Sequence, residues 1–137
     1  MSRSLTAVLL IAALAAPGFA QARQITDAEI AAKLSAAYQR GQAQPKPPAS
    51  LADEGMCASA WGAVAGIYTQ GNYATPPGLE DDEIDWQGQL WFDRLVKKGP
   101  AGEAAMKTAE EALIKPLTEA QLFENVMEIA GSCGTTG

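Results

Sequence analysis

The densest group of side chains able to do chemistry is a short acidic run before and within a predicted helix. It consists of Glu80, Asp81, Asp82, Glu83 and Asp85. Carboxylates are the ligands that calcium prefers, so the run is a candidate divalent-cation site. A calcium-binding loop that started at Asp81 would require glycine at the position that Trp86 occupies. Acids in the first turn of a helix also interact favourably with the helix dipole, and we prefer that interpretation.

Covalent and acid–base catalysis have few candidate residues in this chain. The sequence contains no histidine, which excludes Ser-His-Asp and Cys-His nucleophiles, histidine-ligated haem and most zinc sites. The 16 acidic residues keep a carboxylate-based hydrolase as an alternative, but their spacing singles out no catalytic pair. We therefore expect a protein that is not an enzyme, with no catalytic residue, no metal and no cofactor.

The two cysteines, Cys57 and Cys133, are far apart in the sequence and do not form a CxxC motif. An even cysteine count in an oxidising compartment predicts one structural disulfide, whereas a redox-active pair is less favoured. The loop-entropy relation values such a bridge at about 4 to 5 kcal/mol. A pair of buried free thiols is the alternative interpretation.

Trp86 and Leu90 are the residues most informative about binding. In a helix that starts near Asp81, they lie about 200 and 240 degrees from the inward-facing Ile84. They would therefore form a second apolar stripe, which either binds a partner or ligand or is covered by a second neighbouring helix. Tyr73, in the proline-rich loop before this helix, would add to either arrangement.

The N-terminal residues have the layout of a secretory signal peptide. Arg3 precedes an uncharged apolar run at 5–16, Pro17 and Gly18 interrupt it, and small residues permit cleavage after Ala20 or Ala22. A membrane-spanning helix needs about 20 apolar residues, so an uncleaved anchor is less favoured. We predict a signal peptide at 1–22, a single domain at 23–137 and no stable membrane insertion after cleavage. The layout is typical of bacterial Sec-type export to the periplasm or outside the cell.

The remaining sequence predicts helices and no strands, because apolar residues recur at three- and four-residue steps between glycine and proline breaks. Predicted helices span about 27–40, ending at Gly41; from Ser50 to Gly71; about 81–98; about 101–113; and from the capping box at 118–121 to the glycines at 131 and 134. Ile84, Trp91, Phe92 and Leu95 are expected to share the buried face of the third helix. Cys57 continues the apolar stripe of the second helix, and Cys133 that of the fifth.

These patterns together predict an all-α fold, a small bundle of about five helices in which helices 2 and 5 are linked by a disulfide. The formal net charge of −6 argues against nucleic-acid binding. We expect a secreted or periplasmic, non-enzymatic protein with an interaction or accessory role. Its partner would be an envelope protein or a small apolar ligand, bound at Trp86, Leu90 and Tyr73. The alternatives are a carboxylate-based hydrolase and a protein that binds divalent cations through the acidic run.

Overall fold

The computed structural model of the protein describes residues 25–71, 73–114 and 119–136. Over these ranges the chain forms no strand and five helices, namely α1 (Asp27–Ala43), α2 (Leu51–Gln70), α3 (Asp81–Val96), α4 (Pro100–Ile114) and α5 (Glu119–Cys133). The all-α prediction is therefore confirmed. None of the described helices is long and apolar enough to cross a membrane. The predicted signal peptide and Thr118 of the second capping box lie outside the described residues.

Hydroxyl side chains begin the first two helices at the predicted positions. The Thr26 hydroxyl accepts a hydrogen bond from the Glu29 amide at 3.2 Å, and the Ser50 hydroxyl accepts one from the Asp53 amide at 3.1 Å. Each bond satisfies a backbone donor that a helix N-terminus otherwise leaves without a partner. Gly71 ends α2 as predicted, and its amide donates to the Ile67 carbonyl at 3.0 Å.

Helix α2 is the centre of the fold, since it packs against α3, α4 and α5, while α1 packs against α5. Trp61 of α2 is completely buried. Its ring meets that of Tyr38 edge to face, with centroids 6.1 Å apart. Its indole nitrogen donates to the Gly134 carbonyl at 3.1 Å, so this one side chain links α1, α2 and the residue that follows α5.

The predicted disulfide is present and joins α2 to α5. Cys57 and Cys133 have their Cα atoms 5.9 Å apart and are covalently linked. Cys57 belongs to the buried core, and the partly buried Cys133 packs against it. The bridge therefore fixes the central helix to the end of the last one, as the two apolar stripes predicted.

Two glycines at or near predicted helix ends lie inside helices. Helix α1 continues past Gly41 to Ala43, and α5 continues past Gly131 to Cys133. A Cβ atom at Gly41 would collide with the Glu128 carbonyl of α5, and one at Gly131 would collide with the Tyr38 carbonyl of α1. The prediction that α1 ends at Gly41 was therefore wrong, whereas α5 ends between Gly131 and Gly134 as predicted. Gly41 and Gly131 both allow the two helix backbones to approach closely.

Candidate functional site

Trp86 projects into solvent from the outer side of α3. Its side chain leaves the residue 60% exposed, whereas Trp61 and Trp91 are 0% and 2% exposed. Leu90, one turn further along, is half-buried. Helix α3 therefore buries one apolar face, which includes Trp91, and leaves Trp86 accessible. This is the more open of the two arrangements that the sequence allowed.

Phe92 does not share the buried face of α3, as the sequence analysis expected. It is 45% exposed, and Val96, one turn later, is 47% exposed. The helical repeat places Phe92 about 80 degrees from Ile84, at the edge of the buried face. The helices that pack on α3 do not extend far enough around it to cover Phe92. Helix α3 consequently has two accessible apolar edges, one at Trp86 and one at Phe92.

The edge that carries Phe92 borders an open groove of about 830 Å³. Its floor is the middle of α2 around Gly62, and its walls include Phe92 of α3, Met106 of α4 and Leu122 of α5. A Cβ atom at Gly62 would have no other atom within 4 Å, so the absent side chain leaves space in the groove. The hydroxyl of Ser59 donates to the Met106 carbonyl at 3.3 Å and ties the floor to α4.

Two charged residues are found in the described lining of this groove, and both are acidic. Asp85 comes from α3 and Glu110 from α4, and no lysine or arginine lines the groove among the residues whose side chains the structure describes. Neither carboxylate has an ion-pair or hydrogen-bond partner among the residues that the structure describes. Over the described residues, the groove therefore combines an apolar floor with two carboxylates that have no cationic partner.

Glu54 shows the opposite electrostatic arrangement, on another part of α2. Its carboxylate pairs with Lys98 and with Arg94, the latter at 3.1 Å, and its side chain is 12% exposed. The hydrogen bond from Lys98 is the main cause that lowers the pKa of Glu54, although partial burial opposes it. This neutralised carboxylate fixes α2 to the end of α3 and is not free to bind a ligand.

Tyr73 lies in a groove that contains neither Trp86 nor Leu90. It lines a space of about 300 Å³ with Ile67 of α2 and Phe123 of α5, among others. The structure thus places Trp86 and Leu90 together on α3 and does not add Tyr73 to them. Tyr73 packs partly against the core instead.

The acidic run lies at the N-terminus of α3, where Glu80, Asp81, Asp82 and Asp85 are exposed. The Glu83 amide donates to the Asp82 carboxylate at 2.9 Å, a local bond at the helix start. Among the described residues, no three His, Cys, Asp or Glu side chains are grouped so that they could hold a metal ion.

Tyr68 is the most strongly perturbed titratable side chain among the described residues. Burial raises the pKa of Tyr68 to about 12, and its hydroxyl is buried with no hydrogen-bond partner. A raised pKa keeps the phenol protonated at neutral pH, which makes it a weak nucleophile and a weak base.

The fold and its surfaces define a class: a small disulfide-bridged helical protein with an exposed tryptophan and an open acidic groove. Its disulfide is consistent with an oxidising, exported compartment. Comparison of the chain with known protein families, curated proteins and solved structures finds no match.

The sequence does not predict the groove, although two of its lining residues belong to patterns that the sequence shows. The sequence pattern places Asp85 in the acidic run and predicts Phe92 to be a core residue. Gly62 lies inside α2, where glycine weakens a helix, but α2 also contains Gly55 and Gly66, so the sequence does not single out Gly62.

Proposed function

We propose that this is an exported, non-enzymatic protein that binds an envelope protein through an apolar contact centred on Trp86. The observation that carries the proposal is the 60% exposure of Trp86 on the outer side of α3. Tryptophan is enriched among the residues that dominate binding at protein interfaces. Covering it would remove a large apolar area from water, and half-buried Leu90 would extend that area by one turn.

The scaffold around Trp86 is suited to presenting a fixed surface. The same helix buries Trp91 and Leu95 in the core and is held to α2 by the Arg94–Glu54 ion pair. A rigid anchor loses less conformational freedom on binding than a mobile one, and this favours affinity. Trp86 is therefore presented by an element that is already ordered.

Export to the bacterial periplasm or extracellular space is part of the proposal. Two features support it: the signal-peptide layout of residues 1–22 and the Cys57–Cys133 disulfide, since such bridges are rare in the cytosol. Intact-mass analysis of protein purified from its native host should find the leader removed after Ala20 or Ala22. Alkylation without reductant should modify neither cysteine. A retained leader or freely alkylated thiols would refute this part.

A non-enzymatic role is supported by the state of the ionisable groups. The chain has no histidine, Glu54 is neutralised by two cations, and the pKa of Tyr68 is raised away from neutral pH. None of these groups is activated as a nucleophile or a general base near pH 7.

Affinity capture from envelope extract tests the partner contact. Immobilised mature protein should retain one stoichiometric partner, and Trp86→Ala should lose it. Val96→Ala is the matched control, because Val96 is an exposed apolar residue of the same helix. Retention by Trp86→Ala, or loss with both variants, would contradict the proposal.

Fluorescence quenching then tests whether Trp86 itself is covered. Because the other two tryptophans are buried, iodide should quench mainly Trp86 in the free protein. Addition of the captured partner should protect the emission from quenching. Unchanged quenching in the complex would place the contact elsewhere.

A further inference from the structure

We propose that the groove over the middle of α2 binds a small amphiphilic cation, in which a protonated or quaternary amine is attached to an apolar body. The groove measures about 830 Å³ and is separate from Trp86, which does not line it. Typical pockets for small ligands enclose about 300 to 1,000 Å³. This site is independent of the proposed partner contact.

The dimensions of the groove favour a small ligand. Its floor extends along α2 from Ala58 to Ala65, which is about 10 Å of helix. Two turns of floor can accommodate a short alkyl chain along their length. A helix from a partner protein would need a longer track to place several of its apolar side chains.

The lining explains why the body of the ligand would be apolar. Gly62 leaves the floor without a side chain, and Phe92, Met106 and Leu122 surround that space. Phe92 is 45% exposed, so an alkyl chain that covered it would remove apolar surface from water on both molecules.

The charges explain why the head of the ligand would be a cation. Asp85 and Glu110 both line the groove and have no ion-pair or hydrogen-bond partner among the described residues. The exposed ring of Phe92 adds a face to which an ammonium group is attracted. An anionic head of the same size would be repelled by both carboxylates.

Calorimetric titration of the mature protein tests this preference with three probes that share one alkyl chain. The probes are octyltrimethylammonium, octyl glucoside and octyl sulfate, each used below its micelle concentration. We expect one site for the ammonium compound, with binding about tenfold tighter than that of the neutral glucoside. Octyl sulfate should show no binding. Equal affinity for all three probes, or no binding of the ammonium compound, would overturn the proposal.

Two glycine variants locate the site. Gly62→Leu should fill the groove and abolish binding of octyltrimethylammonium. Gly66→Leu is the matched control, since Gly66 is also an α2 glycine with open space at its Cβ position but lines the groove of Tyr73. It should leave binding unchanged. The opposite pattern would place the ligand in the Tyr73 groove and overturn the assignment.

Charge removal tests the head group without altering the floor. The double variant Asp85→Asn, Glu110→Gln should weaken binding of octyltrimethylammonium about tenfold and leave that of octyl glucoside unchanged. Both side chains are exposed and do not contribute to the core, so the double variant should fold. It therefore tests the proposal even if the leucine variants fail to fold. An unchanged affinity for the ammonium compound would overturn the proposal.

Two further measurements separate this site from other binding. Trp86→Ala should bind octyltrimethylammonium normally, so failure of the envelope-partner proposal and failure of this one are distinguishable.

A basic amphipathic peptide is the competing occupant. If such a peptide bound more tightly than octyltrimethylammonium and lost its affinity in Gly62→Leu, the small-ligand assignment would be overturned.

Discussion

The side-chain amide of Gln87 pairs with the backbone of Thr136 through two hydrogen bonds. Its Nε2 donates to the Thr136 carbonyl at 2.9 Å, and the Thr136 amide donates to its Oε1 at 2.7 Å. Gln87 is only 3% exposed, so its side-chain amide is buried, whereas Thr136 is partly exposed. The residues that follow α5 are therefore held on α3.

Replacing Gln87 with leucine should release this C-terminal segment. Two partly buried hydrogen bonds are lost, so we expect the free energy of unfolding to fall by about 1 to 3 kcal/mol, measured by urea denaturation. Amide hydrogen exchange at Thr136 should become much faster. Gln89→Leu, an exposed position on the same helix, should change stability by less than about 0.5 kcal/mol. Equal effects of the two variants would show that the pairing contributes nothing.

Removing the disulfide should destabilise the protein more than any single hydrogen bond. The Cys57→Ala, Cys133→Ala double variant should lose about 2 to 5 kcal/mol of unfolding free energy, because the unfolded chain regains the freedom that the bridge removes. Urea denaturation measures this loss. The wild-type protein with reductant should show a similar loss, and identical stability with and without reductant would contradict the prediction.

Alanine substitutions at two glycines should have opposite effects. Gly41→Ala places a methyl group against the Glu128 carbonyl, so α1 and α5 must separate, and we expect a loss of about 2 kcal/mol or more. Gly62→Ala meets open space inside α2 and should stabilise the protein by about 0.5 to 1 kcal/mol. Thermal denaturation of both variants measures the contrast. A stabilising Gly41→Ala would refute the close helix approach.

The Glu54 ion pairs should make stability depend on pH in acid. The pKa of Glu54 is lowered in the folded protein, so its contribution is present above the unfolded-state pKa of about 4.3 and is lost as pH falls through the lower folded value. Glu54→Gln should therefore cost about 1 kcal/mol at pH 7, a modest value because Lys98 and Arg94 are each 44% exposed and screened by water.

Urea denaturation of the wild type and Glu54→Gln between pH 7 and pH 3 measures this effect. The difference between them should shrink towards zero below the folded pKa. Glu128→Gln is the control, because Glu128 and Arg40 are about half exposed and lie 3.8 Å apart. It should have little effect at any of these pH values. A difference at Glu54 that did not decrease as the pH fell from 7 to 3 would contradict the prediction.

Features that depend on nearby residues were predicted correctly from the sequence. Thr26 and Ser50 begin helices because a hydroxyl at that position satisfies a backbone amide three residues later. The pairing of Cys57 with Cys133 was also predictable, since each continues the apolar stripe of its own helix and no other cysteine is present. Trp86 was recognised as a residue outside the buried stripe of α3.

Features that depend on how the helices pack were decided only in the tertiary structure. A glycine can end a helix, allow a neighbouring helix to approach or leave a gap on the helix surface. The sequence pattern is the same in each case, so the sequence could not distinguish Gly41 from Gly62. Phe92 lies at the edge of a face whose width is set by the neighbouring helices. Local periodicity therefore determined the helices and the bridge, whereas the acidic groove exists because four separate helices leave its space unfilled.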